Sequence, residues 1–132
     1  MANSNRITPE YISSLQPGQI FVFGSNAQGM HAGGAARFAL DRFGAIWGQG
    51  EGLQGQSYAI PTMEGLESTR SAITRFINYA NQHHELTFLV TPIGCGIAGY
   101  SAYDIAPFFY QTVEMTNVYL PESFLKVLLA DR

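Results

Sequence analysis

The sequence predicts a layered α/β domain with a mainly parallel sheet flanked by helices. Three observations lead there. Short apolar runs of strand length alternate with segments of helical periodicity. One of them, Ile20–Phe23, is continuously apolar and too short for a surface helix, as a buried strand is. Two of them, Ile20–Phe23 and Leu86–Val90, lead into glycine-rich turns and then a helix. With 132 residues and no repeat or low-complexity linker, residues 1–132 read as a single domain.

The elements follow in order. Thr8-Pro9-Glu10 offers a capping residue, a proline at the first helical position and an acid in the first turn, which predicts a short helix to about Leu15, stopped by Gln16-Pro17-Gly18. Ile20–Phe23 is a buried strand. Ala35, Phe38, Ala39 and Phe43 fall at helical spacing over Gly34–Phe43, with Gly44 as the stop. Residues 44–56, with five glycines, form a loop or flap. Ser57–Ile60 is a second strand, ended by Pro61. From Ser68 to about His83, Ile73, Phe76, Ile77 and Ala80 make one apolar helical stripe. Leu86–Val90 is the third strand. Ser101 with Asp104 resembles a capping box opening a helix to about Met115. Asn117–Leu120 is a fourth strand, and a terminal helix starts at Pro121.

Composition narrows the functions. The chain is 46% hydrophobic and 13% charged, with a net charge of −3 and seven lysines and arginines spread along its length. No basic stripe exists, so strong binding to a nucleic-acid backbone is not expected. The single cysteine, Cys95, excludes an internal disulfide and gives no metal-ligand spacing. No signal-peptide core precedes Gln19 and no apolar run reaches membrane-spanning length. The expectation is a cytoplasmic protein without membrane attachment, metal or cofactor.

The chemistry concentrates in two loops. The stretch Gly24-Ser-Asn-Ala-Gln-Gly-Met-His-Ala-Gly-Gly34 holds four glycines, and Pro92-Ile-Gly-Cys-Gly-Ile-Ala-Gly-Tyr100 holds three. Each follows a strand and precedes a helix, where bare N–H groups and the helix dipole suit a phosphate. Two such loops on one crevice suit a diphosphate; otherwise the glycines serve only tight turns and close packing. Neither loop carries G-x-x-x-x-G-K-[ST], so a nucleotide triphosphatase loop is excluded, and no G-x-G-x-x-G follows a strand directly. Ligands of such sheets sit beyond the carboxyl ends of the strands.

The pattern Asn26…Gly29-Met-His-Ala-Gly-Gly-Ala-Ala-Arg-Phe38, then Tyr58-Ala-Ile-Pro-Thr62, then Pro92-Ile-Gly-Cys-Gly-Ile-Ala-Gly99 resembles macrodomains. Within them it is most similar to the branch of terminal ADP-ribose glycohydrolases and the antitoxins that remove ADP-ribose from DNA. The resemblance covers roughly residues 20–115. It implies a three-layer α/β fold that binds ADP-ribose or a related nucleotide, free or on an ADP-ribosylated macromolecule. By motif, Ser25, His31 and Thr62 fall among the ligand-binding residues, and Asn26 hydrogen-bonds the distal ribose. Gly33, Gly34 and Ala35 lie against the diphosphate and distal ribose, and Gly94, Cys95, Gly96, Ile97, Ala98 and Gly99 close over the diphosphate from the other side, with Tyr100 near the distal sugar. Residues at the end of strand 20–23 flank the adenine.

Two departures bear on activity. Where that branch commonly continues Pro-Thr-Lys, this chain has Pro61-Thr62-Met63, and the branch's aspartate in or after the second loop is replaced by Ala98 and Ser101. Asp104 stands a helical turn further on, as a cap or a catalytic acid. The resemblance therefore implies recognition of ADP-ribose with weak or absent removal activity. The alternative is an active ADP-ribosyl hydrolase, or a phosphatase of ADP-ribose phosphate, using His31 and Asn26 in place of the lysine.

Other side chains have two readings each. His31 is a phosphate donor or catalytic base, or an exposed loop histidine. Cys95 is a nucleophile or a small buried residue. Glu51 reaches a ribose hydroxyl or is a solvated acid. Trp47 and Tyr58 cover the ligand or belong to the core. His83-His84 suit a helix C-terminus or a metal. Tyr103, Phe108, Phe109 and Tyr110 serve helix packing.

Overall fold

The computed structural model describes residues 6–130. Its elements run β1 (Gln19–Ser25), α1 (Gly34–Arg42), β2 (Gly52–Gln54), β3 (Ser57–Pro61), α2 (Leu66–Asn81), β4 (Thr87–Val90), α3 (Ala102–Ile105), a 3-10 helix (Ala106–Glu114), β5 (Val118–Tyr119) and α4 (Glu122–Leu128). The sheet order is β2-β3-β1-β4-β5. All neighbours are parallel except β2, which pairs antiparallel with β3. This is an α/β architecture with a five-stranded mixed sheet.

The connections set the layers. The chain leaves β1 toward one side, through α1 to β3, and leaves β4 toward the other, through α3 and the 3-10 helix to β5. Right-handed crossovers taken in opposite directions put their helices on opposite faces. Accordingly Phe21 and Phe23 of β1 pack with Ala36 and Ala39 of α1. Ile20 and Val22 point the other way, into the larger core with Ile73 and Phe76 of α2, Phe109, and Phe124 of α4. Alternate side chains of one continuously apolar strand thus feed two cores, which is why its sequence shows no polar face. The switch in direction falls between β1 and β4, where open sheets of this kind carry their ligands.

Three expectations are corrected. Residues 8–15 form no helix. The Thr8 N–H donates to Leu120 O at 2.8 Å and Ile7 bridges Leu120 in parallel, so a long-range pairing straightens a segment with good local start signals. The helix after Ser101 is α-helical only to Ile105. Its capping box forms, with Asp104 N–H donating to Ser101 Oγ (3.2 Å) and Ser101 N–H to Asp104 Oδ2 (2.9 Å). Pro107 then lacks the N–H that would reach Tyr103 O, and the chain continues as a 3-10 helix. Within that stretch Phe109 is buried, whereas Tyr103 and Tyr110 are 78% and 58% exposed and do not serve packing. Finally, the glycine-rich segment 44–56 contains the edge strand β2 and is packed against the first loop rather than free as a flap.

Candidate functional site

The ends of β1, β3 and β4 converge. Ser25 O accepts from Thr62 N–H at 2.9 Å and from Thr62 Oγ1 at 3.4 Å, and Val22 O accepts from Thr91 Oγ1 at 2.7 Å. A methyl placed on Gly24 would lie 3.3 Å from Thr62 Oγ1 and 3.5 Å from Gly94 N, so the first loop, Thr62 and the second loop meet closely at this glycine. Thr62 is buried at that junction, and Met63, half-exposed, follows it at the rim.

The first loop is stiffened from within and from beside. Asn26 Nδ2 donates to Met30 O (3.1 Å) while its Oδ1 accepts from Met30 N–H (2.9 Å), closing a short turn. Glu64 Oε2 accepts from Ala27 N–H at 2.8 Å. Ser25 is buried and its hydroxyl donates to Gly50 O. Side chains at Gly29, whose φ is +70°, or at Gly50 would overlap the backbone of the facing segment, so the two glycine-rich stretches lie backbone against backbone. His31 closes this joint: it is fully buried, edge-on to Phe23, with Nε2 3.1 Å from Gln49 O and 3.3 Å from Gln54 Oε1. The exposed-loop reading of His31 is therefore corrected: its side chain has no exposed surface.

The remaining glycines sort differently. Gly33, Gly34, Gly96 and Gly99 have nothing within 4 Å of an added methyl. Gly34 (φ +58°) and Gly99 (φ +83°) are held as glycine by their left-handed backbone. Gly33 is not: its φ of −157° and ψ of 172° are extended, open to any residue. Gly96 likewise has neither positive φ nor a neighbour in the way. Gly33 is the cap of α1 and supplies no side-chain hydrogen bond, so the N–H groups of Gly33, Gly34 and Ala35 have no acceptor among the described residues. In the second loop the N–H groups of Gly96, Ile97 and Ala98 are similarly free, while Gly99 N–H donates to Gly96 O and Tyr100 N–H to Gly94 O. The α3 N-terminus is occupied by its own capping box, so this loop offers loop amides rather than a helix end.

A cavity of about 850 Å³ opens beside the α1 N-terminus at the β1–β4 switch point. Gly34, Ala35, Phe38 and Phe21 form one wall, and Thr91 with Pro92 another. Its size suits a nucleotide-sized ligand. Gly33 adjoins that wall without lining the cavity, and Ser25, Asn26, His31, Thr62 and the second-loop residues Gly94 to Tyr100 do not line it either. The sequence reading missed the rest of the lining: the extended segment from Ile7 to Ser13, Arg42, and Pro121–Ser123. Its only signal at 8–10 pointed to a helix.

The other candidates find partners. Glu51 makes a two-pronged ion pair with Arg75 of α2 (2.6 and 3.0 Å), which corrects the solvated-acid reading. Tyr58 is core, its hydroxyl pushed up to about 12 by burial first and by the Glu51 charge second. Trp47 is 56% exposed and outside the core. Cys95 is half-buried, and burial together with the Asp104 charge raises its thiol, the opposite of what an activated nucleophile needs. His83 stacks on Tyr79 and bonds Glu85 at 3.1 Å.

No protein-family model, curated protein or solved structure matches the chain.

No helix among the described residues is long and apolar enough to cross a membrane.

Proposed function

We propose that this protein binds ADP-ribose or a closely related nucleotide, with the diphosphate on the free amides of Gly33, Gly34 and Ala35 and the second loop, Gly94 to Gly99, alongside. The observation that carries the reading is Gly33. Neither its torsions nor its surroundings call for glycine, and no side chain takes the first-turn amides of α1. A bare, uncapped helix start beside a cavity is what an incoming phosphate uses, because the ligand then supplies the cap. Gly96 supports the same reading in the second loop. The cavity wall of Phe21, Phe38 and Pro92 suits an apolar ring such as adenine.

Binding is favoured over catalysis. A thioether at Met63 neither accepts nor donates a proton usefully and cannot attack a sugar carbon. The buried His31 gives no substitute. Titration calorimetry should find ADP-ribose binding more tightly than AMP, which has a single phosphate. Product analysis on ADP-ribosylated DNA and protein should find slow release or none. Equal affinity for both nucleotides, or no binding of either, refutes the diphosphate site.

A further inference from the structure

Thr8 is 6% exposed, lines the cavity, and its Oγ1 has no hydrogen-bond partner among the described residues. Leaving a buried hydroxyl unpaired is costly, and such groups call for a reason. The chain that follows it is unusual as well. From Pro9 to Leu15 no backbone N–H or C=O is hydrogen-bonded to another described residue. Its backbone hydrogen bonds to other described residues lie at its two ends. At one end Thr8 N–H donates to Leu120 O; at the other Gln16 N–H donates to Gln19 Oε1 and Gln16 O accepts from Gln56 Nε2 at 3.1 Å.

Between these ties the segment has space on both sides. Ile7, Pro9, Tyr11, Ile12 and Ser13 border both the 850 Å³ cavity and a second one of about 210 Å³ over Leu89 and Tyr119. Ile12 and Leu15, half-buried, are its apolar attachments to the α1-side core, while Tyr11 is 88% exposed. A span without ladder bonds, suspended between two voids, opens at low free-energy cost.

We propose that Pro9–Leu15 is a strap that shifts when a ligand enters the cavity, and that the Thr8 hydroxyl at its hinge then hydrogen-bonds the nucleoside half of the ligand. The choice of ligand rests on the function proposed above. The hydroxyl is satisfied only in the occupied state, so it contributes to binding and not to the fold of the free protein.

Thr8→Val keeps the shape and removes the hydroxyl; Thr8→Ser keeps the hydroxyl. Thermal melts, ADP-ribose titration and hydrogen exchange of residues 9–15 with and without saturating ADP-ribose form the test. Expected are a Thr8→Val melting temperature no lower than that of the parent, an affinity weaker by about fivefold, and near-parent affinity for Thr8→Ser. In the parent, amides of the strap should exchange fast when free and slow at least tenfold on binding. Unchanged affinity in Thr8→Val, or strap exchange indifferent to bound ADP-ribose, overturns the inference alone. A Thr8→Val protein that melts several degrees lower makes the hydroxyl structural and overturns it too. Failure of the parent to bind ADP-ribose removes the functional reading and this inference with it.

Discussion

Replacing Gly33 by aspartate sets stability against function at a single atom group. An N-cap aspartate exceeds glycine by a few tenths of a kcal/mol through its bond to the first-turn amides. That net difference already includes its charge at the dipole's positive end and the lost freedom of the unfolded chain. The extended torsions at Gly33 and the open space around it impose no strain to offset this gain. The stabilisation is therefore a few tenths of a kcal/mol, a rise of about one or two degrees in melting temperature. For a bound diphosphate the same carboxylate is a like charge roughly 5 Å away, worth about 3 kcal/mol per unit charge at an effective dielectric constant near 20, before it also takes the amides the phosphate needs. Gly33→Asp should therefore melt higher than the parent and bind ADP-ribose at least 100-fold more weakly. Scanning calorimetry and titration calorimetry on the same sample decide it. A stabilised variant with parental affinity refutes the phosphate assignment. A destabilised one refutes the claim that nothing in the fold requires glycine there.

Asn26→Ala breaks both bonds to Met30 and should cost about 1–2 kcal/mol of stability; if Asn26 also meets the distal ribose, ADP-ribose affinity should fall more than ADP affinity, and an equal fall leaves it only the turn-closing role. Met63→Lys should fold normally, since the side chain is 46% exposed, and should raise release of ADP-ribose from modified DNA or protein, measured by chromatography; no gain over the parent would show that methionine is not what limits activity. Tyr58 is held neutral by burial to about pH 12, against an ordinary value of 10.0. The unfolded chain therefore loses that proton first, and stability should fall as pH rises from about 10 to about 12; Tyr58→Phe, compared in melts across that range, should flatten part of the fall, and identical slopes would refute the assignment.

The sequence alone determined four of the five strands and the main helices, because their signals are local; the edge strand Gly52–Gln54 escaped it. Short, mostly apolar runs bounded by turn residues read as buried strands, and the stripe Ile73, Phe76, Ile77, Ala80 has one helical face. The capping box at Ser101 was legible for the same reason, its partners being three residues apart. It also marked both glycine-rich loops. What each glycine is for was decided only in three dimensions. Gly29 and Gly50 are pressed against a segment about twenty residues away in the chain, whereas Gly33 and Gly96 face open space, and no local pattern separates the two kinds. Likewise Thr8 carries sound helix-start chemistry, but a strand bridge to Leu120, more than a hundred residues on, takes its N–H and leaves its hydroxyl beside a cavity. His31 was buried by Gln49 and Gln54 from the neighbouring stretch. A side chain's periodicity is written in its neighbours along the chain, but its accessibility and its partners depend on which distant backbone the fold lays against it.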